Sequence, residues 1–319
     1  MKVLLTGGTG FLGRAIVRAL AGRGHELVIF ARAATASALP GTLFDGDVRD
    51  LAALTRAAAG CDAILHAAAL VSIWRRRRAD FDDVNVGGLK NAIAAAEAAH
   101  IERVLYTSSF LALPPADGTL PLELNDYQRT KVAAGHLSDQ YVAEGRPLIR
   151  LYPGVVYGPG ALTEGNLLGR LIGDHLSRKL PGLIGRERRW SYAYIDDVAG
   201  GHVAALERGR LSERYVLGGE NASQQRVFEI VQQITGRRPP RSIPFAAALL
   251  AGALEEARVS VFGGMPLVTR GAVEIFRHDW SLDSSLATRE IGYAITPLAE
   301  GVQRTIASLR ATAPQAAGA

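Results

Sequence analysis

The chain opens on a short apolar run, Lys2-Val-Leu-Leu5, then a glycine-rich break, then apolar residues at Phe11, Leu12, Ala15, Ile16, Ala19 and Leu20. The run suits a buried strand and is too short for a helix, whereas the later spacing is a helical stripe. The alternation recurs. Leu27 to Phe30 and Thr42 to Phe44 read as strands, Leu51 to Ala59 as an amphipathic helix and Ala63 to Ala69 as a strand. Asn85 opens an alanine-rich helix to Ala99, Arg103 to Thr107 is a fifth strand, Tyr127 begins a helical segment, and Leu148 to Leu151 is a sixth strand. Strands that alternate with helices imply an α/β fold with a doubly wound parallel sheet.

From Gly160 the pattern loosens. Asn166 to Lys179 and Leu183 to Trp190 form a basic, less regular insert. Ser191 to Val198 leads a helix to Glu207, Tyr215 to Leu217 is a strand, and Ser223 to Thr235 and Ala246 to Ala257 are helices. The expected division is a sheet domain over 1–159, to which 191–218 returns, and a smaller, partly discontinuous C-terminal lobe from 160–190 and 219–310. Ala311 to Ala319 reads as a frayed tail.

The glycine break carries the first chemical signal. Gly8, Gly10 and Gly13 fit G-x-G-x-x-G, while Gly7, Gly10 and Gly13 fit G-x-x-G-x-x-G. Between a strand and a helix, either spacing lets the backbone approach a pyrophosphate at the partly positive helix end. The plain alternative is a tight turn that packs a helix on a sheet. Placement at the N-terminus, flanked correctly on both sides, favours the cofactor, with Thr6, Gly7, Gly10, Phe11, Leu12 and Gly13 against it.

Bulk properties narrow the classes. At 319 residues and 48% hydrophobic, the chain can hold one large domain or two coupled lobes around a sizeable core. A net charge of +5 suits an anionic cofactor or substrate, but the basic residues are dispersed and do not imply nucleic acid. A single cysteine, Cys61, excludes an internal disulfide, fits a reducing cytoplasm and reads as a small buried hydrophobe. No signal-peptide run, membrane span or metal-ligating cluster stands out; the most apolar later segment, Phe245 to Leu254, reads as a core helix of the second lobe in preference to a membrane-surface segment.

Cofactor choice should be set about twenty residues past the glycines, where an NAD-binding unit carries Asp or Glu for the ribose 2′-hydroxyl. Here stand Ala31 and Arg32. With no carboxylate to repel a 2′-phosphate and a guanidinium to hold one, NADP(H) is favoured over NAD(H). Arg14 is either a second contact or a solvated helix residue. Past the next strand, Asp47 beside Val48 can meet the adenine amino group. His66 reads as structural, with Ala67 and Ala68 small enough for a ribose to lie close. Arg75 to Arg78 could hold a phosphate or carboxylate, or be a solvated run balanced by Asp80, Asp82 and Asp83.

Ser108 and Ser109 end the fifth strand. Tyr127 and Lys131, at i and i+4, share a helix face, so the ammonium can sit beneath the phenol and lower its pKa, as a proton donor to a carbonyl needs. The spacing alone means little; behind the glycine turn and a strand-terminal serine pair it becomes the strongest chemical signal. Tyr152 to Pro159, with Pro153, Val155 and Val156, is a turn-rich edge suited to a nicotinamide ring. Asp196 and Asp197 read as a helix cap or an ion pair joining the lobes.

By its motifs the chain resembles the extended short-chain dehydrogenase/reductases, the NAD-dependent epimerase/dehydratase group. Thr6-Gly-Gly-Thr-Gly-Phe-Leu-Gly13, Asn85-Val-Gly-Gly, Thr107-Ser-Ser109, Tyr127-x-x-x-Lys131, Pro153-Gly-Val-Val-Tyr-Gly-Pro159 and Tyr194-Ile-Asp-Asp-Val198 carry the likeness. Ala-Leu-Glu-Arg-Gly-Arg210 and Tyr-Val-Leu-Gly-Gly-Glu-Asn221 look most like the dihydroflavonol-reductase-like branch, which includes proteins labelled hopanoid-associated sugar epimerases. The resemblance implies a Rossmann fold and a Ser–Tyr–Lys site. Ser109, with Ser108 as fallback, polarises the substrate oxygen, Tyr127 is the acid/base, Lys131 holds the ribose, and Asn85 buttresses the site.

Three readings follow: an NADP(H)-dependent ketone or aldehyde reductase; a nucleotide-sugar epimerase or dehydratase whose basic insert clamps a diphosphate; and a cofactor-sensing protein without turnover. Arg32 and the short Ser109–Tyr127 segment, which lacks part of a substrate lid, favour the first. By analogy a homodimer is expected through Ala94, Ala95, Ala98, Ala133 and Ala134 on two helices.

Overall fold

The computed structural model describes residues 1–312. Its first unit is β1 (Lys2–Thr6), α1 (Phe11–Gly22) and β2 (Glu26–Ala31). Then come β3 (Thr42–Asp45), α2 (Leu51–Ala58) and β4 (Ala63–His66), followed by α3 (Ala79–Asn85), α4 (Gly87–Ala98) and β5 (Val104–Thr107). A 3₁₀ turn, Phe110–Ala112, precedes α5 (Asp126–Ala143) and β6 (Leu148–Pro153). Next are β7 (Val155–Tyr157), α6 (Leu167–Leu176), β8 (Leu183–Ile184) and β9 (Arg189–Tyr194), then α7 (Ile195–Arg208) and β10 (Arg214–Leu217). The chain continues through β11 (Glu220–Ser223), α8 (Gln224–Thr235), β12 (Ser242–Ile243) and α9 (Phe245–Phe262) to α10 (Arg270–Ile275), α11 (Ser285–Ile291) and α12 (Leu298–Thr312).

Seven strands form one parallel sheet in the order β10-β6-β5-β4-β1-β2-β3. Helices cover both faces. Val3 and Leu5 of β1 join one core cluster, with α1 and α7, while Leu4 joins the other, with α2 and α4. That is why the strand reads as an unbroken apolar run instead of an alternating one. After β1 the chain winds outward through β2 and β3, then returns to place β4 on the other side. This reversal between β1 and β4 opens a crevice at their C-terminal ends. A three-stranded sheet, β11-β9-β7, and a two-stranded one, β12-β8, make the second layer, while α7 and β10 return to the large sheet.

Several elements differ from expectation. Asn85 ends α3 and does not open α4; its buried amide is committed to the Leu70 backbone and Thr130, so the chain steps at Val86 into a second helix. The insert after Gly160 contains a regular helix, α6, capped by the Asn166 carbonyl accepting from Gly169 N–H. Helix α9 is longer than expected and is a surface helix: only Ala248, Gly252 and Val259 are buried. A Cβ on Gly252 would come within 2.8 Å of the Arg270 nitrogen, so α9 presses its small-residue side on α10 and leaves its leucines outside. Ala95 and Ala134 face their own core beside α2 and β5, whereas Ala94, Ala98 and Ala133 are not buried. Ala311 and Thr312 close α12, and the rest of the expected tail lies outside the described residues.

Candidate active site

The turn after β1 is built to face an anion. Gly7 adopts φ +75°, and a Cβ there would lie 2.8 Å from the Ala68 backbone at the end of β4. Gly13 seats α1 against the turn: its Cβ would run into the Gly7 carbonyl and approach Gly8 Cα to 2.8 Å. Gly10, exposed at the N-terminus of α1, gives that helix no side-chain cap, and its first turn holds no acidic residue. The free N–H groups of a twelve-residue helix therefore point into the crevice, which fits a pyrophosphate. Arg14 braces the turn by donating from Nε to the Thr9 carbonyl, 3.1 Å. Thr6 shares a 2.9 Å hydrogen bond with His66 Nδ1 and accepts from Ala68 N–H at 3.2 Å, so it ties β1 to β4. Burial pushes His66 down to about 3, with Lys131 adding to the shift, so the imidazole is neutral.

At the far end of the crevice, Arg32 is exposed just past β2. The nearby carboxylates are engaged elsewhere: Asp45 accepts from Thr35 N–H and hydroxyl, and Asp47 takes a two-point contact from Arg49 at 2.9 and 2.8 Å. Asp47 is thus held by Arg49, while Val48 is buried beneath Gly88 with its carbonyl accepting from Asn91. In the arginine run, Arg77 pairs with Asp80 and Asp83, and Arg78 with Asp126. Those two read as a solvated, balanced face.

The residues expected to react lie where β5 ends and α5 begins. The Asn125 side chain caps α5 by accepting from Gln128 N–H, 2.8 Å, and Gln128 reaches back to accept from Leu124 N–H, 3.1 Å. This paired cap sets Tyr127 in the first turn and Lys131 one turn deeper. Asn85 donates to Thr130 at 2.9 Å and accepts from Leu70 N–H at 2.8 Å, and Arg129 grips Asp82 of α3 at 2.8 and 2.7 Å. The Ser109 hydroxyl accepts from Leu111 N–H at 3.2 Å, while the buried Ser108 and Tyr106 hydroxyls have no hydrogen-bond partner among the described residues.

Lys131 is buried, with its ammonium donating to the Thr107 carbonyl at 3.1 Å and lying 6.0 Å from the Tyr127 ring centre. Burial pulls Lys131 down to about 7. The Tyr127 pKa was expected to fall beneath this cation; instead burial lifts it to about 12, with the Ser109 side chain opposing. The ammonium is hydrogen-bonded to the Thr107 carbonyl and is itself drawn toward neutrality by burial, so desolvation wins at Tyr127. An ammonium has three donors, and among the described residues Lys131 makes one hydrogen bond, which leaves capacity for ribose hydroxyls. Thr107 is held in turn by its hydroxyl donating to His202 Nε2, 3.0 Å, while His202 Nδ1 donates to the Val198 carbonyl of α7, 2.7 Å.

The model of the NAD dependent epimerase/dehydratase family matches residues 3–218, two-thirds of the chain. The chain belongs to this family. Family members and relatives are enzymes of the extended short-chain dehydrogenase/reductase type that bind nicotinamide cofactors. A protein of Synechocystis sp. that bears the name dihydroflavonol 4-reductase is 30% identical, with 90% of this chain and 88% of that protein covered. A 2-alkyl-3-oxoalkanoate reductase of Stenotrophomonas maltophilia is 29% identical over 97% of this chain and 99% of its own. The crystal structure of gox2253 superposes with a TM-score of 0.82 at 31% identity, covering 98% of both chains.

The epimerase/dehydratase-family site of this chain has one feature that motif reading missed. Pro153 and the buried Val155, with Val156 beside it, border the expected nicotinamide edge. Val155 lines a small, mostly apolar pocket of ≈ 10 Å³ with Leu167, Leu171, Trp190, Tyr192 and Phe276. Trp190 stacks on Phe276 at 4.7 Å and tilts against Phe110, the residue after Ser109, at 6.3 Å. The signal in the sequence was only the alternation of Trp190, Tyr192 and Tyr194; Phe276 lies far along the chain and carries none. Asp197 joins α7 to the approach of α12 by accepting from Thr296 N–H and hydroxyl, 2.6 and 2.8 Å, while Asp196 pairs with Arg18. Neither aspartate caps α7. Among the described residues, no group of three His, Cys, Asp or Glu is placed to hold a metal ion.

Proposed function

We propose that this protein is an NADP(H)-dependent reductase of a ketone or aldehyde on a small, largely apolar substrate, acting through Ser109, Tyr127 and Lys131. The observation that carries the reading is the Tyr127–Lys131 pair on α5, its ammonium 6.0 Å from the Tyr127 ring centre and hydrogen-bonded to the Thr107 carbonyl at the C-terminal end of β5, next to Ser108 and Ser109. A phenol at about 12 is fully protonated at neutral pH but a weak acid, so passing its proton to a developing alkoxide would need the Lys131 ammonium to draw that value back toward working pH. The uncapped α1 terminus would hold the pyrophosphate, Arg32 the 2′-phosphate and Lys131 the ribose hydroxyls. When bound, the reduced nicotinamide supplies a hydride to the carbonyl carbon. Ser109 holds the carbonyl oxygen, Tyr127 passes it the proton, and the product is the alcohol. Lys131, poised near neutral pH, orients the ribose and refills the phenol.

An apolar substrate body is supported by relatives named for dihydroflavonol and 2-alkyl-3-oxoalkanoate. The same reading carries a homodimer through the outer sides of α4 and α5, where Ala94, Ala98 and Ala133 remain uncovered. The test is a panel of apolar ketones and aldehydes with NADPH or NADH, followed by loss of cofactor absorbance. Turnover with NADPH ahead of NADH is expected. Failure across the panel, with nicotinamide nucleotide released only on denaturation, points instead to an epimerase that retains its cofactor.

A further inference from the structure

Helix α9 and the turn after it carry their large apolar residues into solvent. Leu250 and Leu254 are 62% and 63% exposed, and Phe262 and Leu267, either side of the turn, 82% and 86%. Leu250, Leu254 and Val261 recur at three- to four-residue multiples and so share one side of the helix, opposite buried Gly252 and Val259. Gly263 and Gly264, at φ +71° and +92°, reverse the chain and leave Phe262, Met265 and Leu267 on a projecting tip. Large apolar side chains left uncovered along one helix side and the turn that follows it mark an interaction site.

The charges nearby indicate the partner. The carboxylates of α9 are engaged: Glu255 with Arg258 and Glu256 with Arg270. At the root of α9 the balance is positive. Arg238 and Arg241 are exposed just before it, and Arg237 donates to the Leu176 carbonyl, which brings Arg178 and Lys179 alongside. Among the described residues, none of these five cations has a carboxylate within ion-pair distance. A second copy of this chain would offer this face no free α9 carboxylate. An anionic bilayer offers both a layer for the leucines and phenylalanine and phosphates for the cations.

We propose that α9, the Phe262–Leu267 turn and the basic root dock this protein reversibly on an anionic lipid bilayer. No helix among the described residues is long and apolar enough to cross one, so the attachment is interfacial. The proposal does not depend on which carbonyl the enzyme reduces.

The test is sedimentation of the purified full chain with phosphatidylglycerol/phosphatidylcholine vesicles and with phosphatidylcholine alone. Binding to the anionic vesicles is expected, weakening as NaCl rises from about 0.1 to 1 M, where the Debye length falls from about 10 to 3 Å. Leu250→Glu/Leu254→Glu and, separately, Phe262→Glu/Leu267→Glu should each weaken it tenfold or more (about 1.4 kcal/mol per decade). Arg238→Glu/Arg241→Glu should abolish the preference for anionic lipid. All these positions are exposed, so circular dichroism and Tm should match wild type. No sedimentation of wild type at low salt overturns the proposal, as does undiminished binding by both apolar variants. So does a light-scattering mass that halves in the Leu250→Glu/Leu254→Glu variant without any vesicle binding, which would assign the face to a second copy.

Discussion

Tyr127 and Lys131 illustrate how burial redirects chemistry that spacing alone suggests. Their i,i+4 relation was legible, but the direction of the tyrosine shift depended on where the ammonium points and how deeply both lie. Tyr127→Phe removes one hydroxyl from a cleft edge, so it should keep the fold and an unchanged NADPH titration while turnover falls roughly 10²–10⁴-fold. Near-wild-type turnover would remove the proposed mechanism. Lys131 predicts a pH signature. Its folded pKa, about 7, lies below the ordinary lysine value of 10.5. Below the folded value both states are charged and the cost of burying the cation is fully present; as pH rises toward 10.5 the unfolded chain binds more protons, so this group's cost fades. Lys131→Met should therefore raise the Tm of the cofactor-free protein more at about pH 6 than at about pH 9, while it weakens NADPH binding. Equal shifts at both pH values would refute the buried-charge account.

At the scale of elements, the glycine turn and α5 were readable because the physics is local. A strand end, a φ > 0 glycine and a helical stripe occupy consecutive residues, and an Asn cap with Gln three positions later sets the start of α5. The turn also yields a contrast. Gly13→Ala drives a methyl into the Gly7 carbonyl and should cost about 1–3 kcal/mol, with NADPH affinity falling too. Gly22→Ala, at the end of α1 with nothing within 4 Å, should instead stabilise by about 0.4–1 kcal/mol. Thermal melts and NADPH titrations of the two variants check both. Helix α3 escaped the pattern because Ala79 to Asn85 is mostly polar, with only Phe81 and Asn85 buried. Helix α9 misled in the opposite way: an apolar run carries no mark of which side a neighbour will cover.

For the whole molecule, the crevice between β1 and β4 links cofactor binding to stability. A ligand that binds only the folded chain stabilises it by about 2.7 kcal/mol at 100 times its Kd. If Arg32 holds a 2′-phosphate, NADPH should raise Tm more than NADH at equal concentration, and Arg32→Ala should erase the difference by removing a charge-assisted contact worth about 1.5–3 kcal/mol. Differential scanning of wild type and Arg32→Ala with each cofactor decides it; an Arg32→Ala protein that still favours NADPH would place the discrimination elsewhere.

The sequence by itself determined the alternating strands and helices, the glycine turn and the i,i+4 relation of Tyr127 to Lys131, since each rests on residues within a turn or two of one another, and the alternation in turn implied the parallel sheet. Tertiary structure alone decided the rest. It commits Asn85 to Leu70, fifteen residues away. It brings Phe110, Trp190 and Phe276 into one apolar wall from three distant segments. It lets burial outweigh a nearby cation at Tyr127 and turns Leu250 and Leu254 outward. Periodicity reports which residues share a side of an element; only the packed chain determines what that side meets, and with it the local dielectric and the cost of a charge.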